Sequence, residues 1–157
     1  MTTRAYVGVG SNQGARPALI DAAVTLLGAT HGVVLVAVAP AIETEALLPP
    51  GDPTPQPRYM NTVVAIDCAF GPDELLARLK SIEAQLGRTD TRKWAPRPID
   101  LDVLLFGAEV RSALPPLVPH PELHRRRFVL EPLAAIAPDA LHPVLGKTAA
   151  ELLAGLP

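Results

Sequence analysis

The sequence predicts an α+β domain with a ferredoxin-like core, in which an antiparallel sheet packs against helices. Two observations support this prediction. Short apolar runs typical of strands alternate with longer segments of helical periodicity, and their order is βαββαβ followed by further helices. This is the split βαβ order, which arranges its strands in an antiparallel sheet. With 157 residues, the chain is expected to form a single domain over 1–157.

The first half of the pattern contains three strands and one helix. Strands are predicted at 4–9, 32–39 and 59–68, where β-branched and apolar residues are concentrated. A helix is predicted over 17–28, because a proline stands near its start and apolar residues follow at helical spacing. A proline-rich loop at 48–58 separates the second strand from the third.

The second half supplies another helix and the last strand. The helix is predicted over 72–86, with a proline at its start and Gly87 as its C-terminal stop. The strand is predicted over 99–106, after a loop that carries arginines and prolines. Two further helices are predicted at 121–136 and 147–154.

Composition and charge exclude several classes of protein. The net charge of −2 does not favour nucleic-acid binding, and the longest apolar run, VVLVAVAPAI, is too short to span a membrane. The N-terminal residues MTTRAYVGVGSN lack the apolar segment of a signal peptide, so a cytoplasmic location is expected. Cys68 is the only cysteine, lies in an apolar run and is interpreted as a packed thiol.

The pair Asp100 and Asp102 is the strongest candidate for chemistry. Two residues apart on a strand, their side chains share one face, with Cα atoms ~6–7 Å apart. Hard divalent cations such as magnesium prefer such carboxylates. The alternative is a pair of solvated aspartates at a strand edge. The preceding basic residues favour a polyphosphate–magnesium site, because arginine binds phosphate oxygens bidentately; they are Arg88, Arg92, Lys93 and Arg97.

Two aromatic residues flank polar or basic segments instead of core runs. These are Tyr59 and Phe128, between which a planar heterocycle could stack. Asn61 lies on the same strand face as Tyr59, and its amide offers a donor and an acceptor to a ring edge. Ordinary core packing of both rings is the alternative that periodicity leaves open.

The histidines allow two interpretations. His120 and His124 have a spacing that can bind zinc on a helix. However, Pro121 is predicted to be the first helical residue, so a phosphate contact of His120 near a helix start is favoured. His31 and His142 are expected at the surface without partners.

Taken together, these motifs resemble 6-hydroxymethyl-7,8-dihydropterin pyrophosphokinases over nearly the whole chain. The landmarks are VGVGSNQG at 7–14, ETEALL and RYMNTVVAI within 43–66, IEAQLGR at 82–88, KWAPRPIDLDVLLFG at 93–107 and VPHPELHRRRFVLEPL at 118–133. The resemblance implies a three-layer α/β/α sandwich. It also implies an ATP-dependent diphosphokinase of folate biosynthesis, which moves pyrophosphate from ATP to the pterin hydroxymethyl group and releases AMP.

The resemblance also implies a role for each site residue. Asp100 and Asp102 would hold two magnesium ions. The residues implied for the pterin are Tyr59 and Phe128 on its faces, Thr44 and Asn61 at its edge, and the backbone of Ala46 and Leu47. The residues implied for ATP are Arg88, Arg97, His120 and Arg126 at the triphosphate, Glu83 and Val103 near the nucleoside, and Trp94 on a closing loop.

One departure from the family pattern concerns catalysis. Members usually carry two arginines one residue apart after the helix-ending glycine, whereas this chain reads Arg88-Thr89-Asp90. Arg92, with Arg97, is therefore expected to take the catalytic arginine role. The segments 45–58 and 88–97 are expected to act as lids.

Two other classes of function compete with this interpretation. A sensing module on the same core would need no aspartate pair. An RNA-binding domain would need exposed aromatics within its central strands, and the strand runs VVLVAVA and NTVVAIDC have none. The expected partners are therefore ATP and a reduced pterin, with no nucleic acid and no membrane, and the expected state is a monomer.

Overall fold

A computed structural model describes residues 1–12, 16–44, 50–52, 58–87 and 98–157. Within these ranges the chain folds into strands and helices in the order that the sequence predicts, with one short additional strand. The elements are β1 (Thr3–Ser11), α1 (Arg16–Gly28), β2 (Val33–Val38), β3 (Ile42–Thr44), β4 (Tyr59–Cys68), α2 (Pro72–Gln85), β5 (Asp100–Phe106), a 3-10 turn (Leu123–Arg125), α3 (Arg127–Ile136) and α4 (Ala149–Ala154).

The sheet has the strand order β2-β4-β1-β5, and each of these neighbours pairs antiparallel. This is the ferredoxin-like arrangement, so the predicted fold class is confirmed. The short strand β3 pairs with the start of β4, beyond the part that β2 covers. It was not predicted, because three residues are too few to display the alternation that identifies a strand.

Helices cover both faces of the sheet and form the three layers that the family resemblance implies. Alternate residues of the strands point to opposite faces, so each face has its own apolar cluster. The first cluster joins the strands to α1 and α2 and includes Val64, Ile66, Leu75 and Leu79. The second joins them to α3 and α4 and includes Val63, Leu104, Leu130 and Leu133.

Cys68 lies within the first cluster and is buried, as the sequence predicts. Burial raises the pKa of its thiol, which disfavours the reactive thiolate. Its sulfur contacts the carbonyl oxygen of Phe70 at 3.5 Å. The interpretation of Cys68 as a packed structural thiol is therefore supported.

Helix α2 begins and ends with residues suited to those positions. Pro72 stands in its first turn, where the missing N–H is not needed, and acidic side chains follow. Gly87, just past the helix, has a φ of +91°, which is costly for any residue with a Cβ. Among the helices of the described ranges, none is long and apolar enough to cross a membrane.

The helix predicted over 121–136 was wrong at its start. Residues 123–125 form a 3-10 turn, Arg126 is extended with φ −106° and ψ 107°, and α3 begins only at Arg127. The turn allows Leu123 to be fully buried in the second cluster. His120 is therefore not the cap of a helix that begins at Pro121.

The surface position expected for His142 was also wrong. Its side chain is buried, and Nδ1 accepts hydrogen bonds from the backbone N–H groups of Val144 and Leu145, at 3.3 and 3.0 Å. Burial, and then the neighbouring His124 ring at 6.0 Å between centroids, lower the pKa of His142. The neutral ring thus stabilises the turn that leads into α4.

We expect His142 to make the protein less stable in mild acid. Because its pKa is lowered on folding, the unfolded chain binds more protons below its ordinary value of 6.5, so the stability contribution is lost as the pH falls. His142→Asn keeps an acceptor near the position of Nδ1 but does not titrate. His142→Ala removes the acceptor and should lower the free energy of unfolding by about 1–3 kcal/mol at pH 7.5. Urea unfolding at pH 7.5 and 5.5 measures this. If the free energy of unfolding falls equally between pH 7.5 and pH 5.5 in wild type and in His142→Asn, the expected role of His142 is contradicted.

Candidate active site

Three adjacent strands place two of the predicted site residues, Asn61 and Asp100, in one row. Gly10 of β1 is opposite Asn61 of β4 on one side and opposite Asp100 of β5 on the other. The next row, two residues along, contains Gly8 opposite Asp102. Residues opposite each other in an antiparallel pair share a face. The two aspartates and Asn61 therefore lie on the same face, which is the one covered by α3.

The two glycines leave the middle of this face without side chains. A Cβ at Gly10 would lie 3.0 Å from Oδ1 of Asn61 and 3.6 Å from the ring of Tyr59. The nearest atoms to a Cβ at Gly8 would be those of the Leu104 side chain, at 3.5 Å and beyond. Gly10 is therefore the position where a side chain would displace a predicted site residue.

Thr44, Tyr59 and Asn61 come together where β3 pairs with β4. Thr44 is opposite Tyr59 in the register. Nδ2 of Asn61 donates a hydrogen bond to Oγ1 of Thr44 at 2.9 Å. The short strand that the sequence did not reveal is thus what holds Thr44 beside Asn61.

Neither Tyr59 nor Phe128 belongs to the apolar clusters of the described chain. Both are half-buried. Phe128 stands in the first turn of α3, a helix that packs on β3 and β4, and the guanidinium of Arg126 lies 5.6 Å from its ring centroid. Of the two interpretations that the sequence left open, this placement favours contact with a ligand over core packing.

His120 lies close to both Asp100 and Arg126. Its backbone N–H donates to the carbonyl of Leu104 at 2.9 Å, and its Nδ1 accepts from the N–H of Glu122 at 3.1 Å. Burial, followed by the charge of Arg126, lowers the pKa of His120, while the charges of Glu122 and then Asp100 act in the opposite direction. With Nδ1 used as an acceptor, a neutral His120 carries its proton on Nε2, which makes Nε2 a donor.

Glu83 and Val103 lie on the opposite face of β5 from the aspartates. Both are buried, and Val103 belongs to the first cluster with α1 and α2. Oε2 of Glu83 accepts a hydrogen bond from the N–H of Leu101 at 2.8 Å. The side chain of Val103 therefore does not reach the face of Asp100 and Asp102, and its contact with a nucleoside stays a prediction.

Several predicted residues fall outside the ranges that the structure describes. They lie in the two segments that were expected to act as lids. These residues are Ala46, Leu47, Arg88, Arg92, Trp94 and Arg97. Their roles remain predictions from the family resemblance.

The two aspartates suit magnesium better than zinc. The residues that the structure describes contain no cluster of three or more His, Cys, Asp or Glu side chains with metal-binding geometry. Structural zinc needs four protein ligands, whereas magnesium usually takes one or two carboxylates and completes its shell with water and substrate phosphates. Asp100 and Asp102 on one face match the second pattern, and the alternative of a zinc site at His120 and His124 finds no support.

Gly10 is a site residue that the sequence reasoning missed. The signal was present, because VGVG alternates valine and glycine within a predicted strand. Glycine weakens a strand and is typical of places where another group approaches the backbone closely. The two valines face the core cluster, so the glycines face the site.

We expect Gly10→Ala to weaken pterin binding about five- to tenfold, because the new Cβ displaces Asn61 and disturbs its hydrogen bond to Thr44. Gly8→Ala is the matched control, since its Cβ finds an ordinary contact distance. Calorimetric titration with the pterin measures both variants. Equal affinities in the two variants would show that the Gly10 contact with Asn61 is unimportant.

The chain is similar to known proteins over nearly its whole length. Residues 6–138 match the family model described as 7,8-dihydro-6-hydroxymethylpterin-pyrophosphokinase. A protein of Methylorubrum extorquens named 2-amino-4-hydroxy-6-hydroxymethyldihydropteridine pyrophosphokinase is 45% identical over 98% of this chain and 94% of its own length. A protein of the same name from Pseudomonas aeruginosa is 41% identical over 100% of this chain and 94% of its own length.

Solved structures support the fold. A crystal structure of an HPPK-DHPS protein from Plasmodium falciparum superposes with a TM-score of 0.75 at 15% identity, covering 98% of this chain. This chain spans 44% of the length of that protein, so the likeness concerns one part of it. By the extent of the family match and the similarity to full-length relatives, the chain belongs to the 7,8-dihydro-6-hydroxymethylpterin-pyrophosphokinase family.

Proposed function

We propose that this chain transfers pyrophosphate from ATP to the hydroxymethyl group of 6-hydroxymethyl-7,8-dihydropterin, giving AMP and the pterin diphosphate in folate biosynthesis. One observation supports this most directly. The carboxylate pair and the Thr44–Asn61 pair share a sheet face, with only the glycines of β1 between them. A phosphate-handling site and a heterocycle-binding site are thereby adjacent, as transfer between the two substrates requires.

Asp100 and Asp102 would hold two magnesium ions that join the enzyme to the phosphates of ATP. Two like charges on one face repel each other unless a cation lies between them. When bound, magnesium ions supply positive charge that neutralises the phosphate oxygens. The carboxylates would set the position of the β-phosphorus relative to the pterin.

The pterin would bind between Tyr59 and Phe128, with its edge at Thr44 and Asn61. Because Nδ2 of Asn61 donates to Thr44, its Oδ1 is oriented to accept from a ring N–H. The carbonyl oxygen is also the atom that a side chain at position 10 would displace. Backbone groups of Ala46 and Leu47 would complete this site.

His120 and Arg126 would contact the triphosphate together with Arg88 and Arg97. The Nε2–H of a neutral His120 donates to a phosphate oxygen without repelling the cations nearby. Arg126 adds a permanent positive charge on the same side. Arg92 and Arg97 would serve as the catalytic arginines, while Glu83, Val103 and Trp94 would lie at the nucleoside.

In the reaction, the pterin hydroxyl oxygen attacks the β-phosphorus in line with the bond to the bridging oxygen. That bond breaks, the bridging oxygen leaves with AMP, and the hydroxyl proton passes to solvent. The enzyme accelerates the reaction by positioning the two substrates and by neutralising the charge of the phosphates, so no covalent enzyme intermediate is required. We propose that the chain works as a monomer, in the cytoplasm.

We expect Asp100→Ala and Asp102→Ala each to reduce turnover at least a hundredfold without unfolding the domain, because each removes a metal ligand and little core volume. Asp67→Ala is the matched control, since Asp67 lies on β4 in an ion pair with Arg4 at 2.6 Å. The assay supplies ATP, magnesium and the pterin, and separates AMP from ADP. Pterin-dependent AMP confirms pyrophosphoryl transfer. Normal turnover in both Asp variants would contradict the metal assignment.

We expect Tyr59→Ala to weaken pterin binding about tenfold or more while ATP binding changes little, because the lost ring stacks on the pterin alone. Tyr59→Phe is the matched control, because it keeps the ring and should bind the pterin normally. Tyr6→Ala is not suitable, because Tyr6 packs against the second apolar cluster. Titration calorimetry with each substrate distinguishes them. A similar loss for ATP and the pterin would contradict the stacking role.

A further inference from the structure

Glu83 is a buried carboxylate that points into the contact between α2 and β5. It is 3% exposed, although it occupies a helix whose other charged residues are exposed. A buried carboxylate is costly unless polar partners offset its lost hydration. Packing of α2 alone therefore does not explain why the carboxylate of Glu83 is buried.

One short polar contact of Glu83 is with the backbone of β5, the strand that carries Asp100 and Asp102. Oε2 accepts from the N–H of Leu101 at 2.8 Å, a distance typical of a charge-assisted hydrogen bond. Lys80 is 3.5 Å from Oε1 but is 60% exposed, so this pair contributes little. The stronger of the two contacts is therefore the one that crosses to β5.

Leu101 stands between Asp100 and Asp102, near the beginning of β5. Among the described strands β5 is the last in the sheet, so β1 pairs with one edge of it and no described strand pairs with the other. The carboxylate of Glu83 provides the missing acceptor on the outer edge. The backbone unit between the two aspartates is thereby held from both sides, by β1 and by α2.

We propose that Glu83 is a positioning residue, which fixes the backbone between Asp100 and Asp102 through the Leu101 N–H and so sets the separation of the two carboxylates. This inference rests on the proposed metal role of those aspartates. Sites that bind ions and phosphates lose activity when their ligands shift by fractions of an ångström. In this role Glu83 acts on the metal ligands without needing to touch the nucleotide.

The test compares three variants. Glu83→Met keeps the side-chain length and removes the acceptor, and Glu83→Gln keeps a neutral acceptor. Glu74→Ala is the matched control, because Glu74 is an exposed residue of the same helix that pairs with Arg78 at 3.0 Å. If Glu83→Met does not fold, Glu83→Ala replaces it.

The first measurement is amide hydrogen exchange of Leu101 in protein free of metal and nucleotide. Exchange should accelerate about tenfold or more in Glu83→Met and stay close to wild type in Glu83→Gln and Glu74→Ala. Unchanged exchange of Leu101 in a folded Glu83→Met protein overturns the proposal. This measurement does not depend on whether Asp100 and Asp102 bind metal.

The second measurement is the magnesium concentration that gives half-maximal activity. It should rise about tenfold in Glu83→Met, and Glu83→Gln should restore it. Accelerated exchange with an unchanged magnesium requirement overturns the positioning role. A loss in Glu83→Gln as large as in Glu83→Met also overturns it, because the charge or a nucleotide contact would then matter instead of the hydrogen bond. Failure of the metal assignment itself is recognised separately, by turnover that survives in Asp100→Ala and Asp102→Ala.

Discussion

The antiparallel pairing of β1 with β4 on one side and β5 on the other is the constraint on which the site depends. It places Asn61, Gly10 and Asp100 in a single row, although they are far apart in the sequence. A shift of the register by one residue would turn the aspartates to the opposite face, because side chains alternate along a strand. The buried valines of β1 and β4 oppose such a shift, since it would expose them. Core packing on one face thus fixes the chemistry on the other.

The same alternation determines which face of β1 carries its glycines. On the site face, β1 contributes glycines at the positions between the two groups of polar residues, so no side chain of β1 separates these groups. Gly8 is tolerated in mid-strand because the flanking Val7 and Val9, on the opposite face, bury well against the helices. The local weakness that glycine introduces is offset by pairing on both edges of β1.

The sheet and the shared face of the two aspartates could be predicted from sequence, because clear sequence patterns indicate both. The spacing of Asp100 and Asp102 predicts a shared face, and the order of the elements predicts the sheet. β3 could not be predicted, and the valine–glycine alternation around Gly10 indicates a close approach to the backbone without indicating which residue approaches it. A three-residue strand has no periodicity, and the steric relation of Gly10 to Asn61 depends on which strands become neighbours. Similarly, the acidic residue on the apolar face of α2 was visible, but its hydrogen bond to Leu101 depends on how α2 packs on β5.

The error in the helix predicted over 121–136 has a functional meaning. If the helix continued through this segment, Arg126 would lie about 9 Å further along the axis than His120. It would also be rotated by about 240° around the axis after one full turn, so the two side chains would point in different directions. Instead, a 3-10 turn buries Leu123 and an extended Arg126 restarts the chain before α3. This break brings Arg126 near enough for its charge to lower the pKa of His120, and it places Phe128 in the first turn of α3. Apolar periodicity indicated a helix here because Leu123 and Leu130 are both buried, but the interruption between them is what places Arg126 near His120 and Phe128.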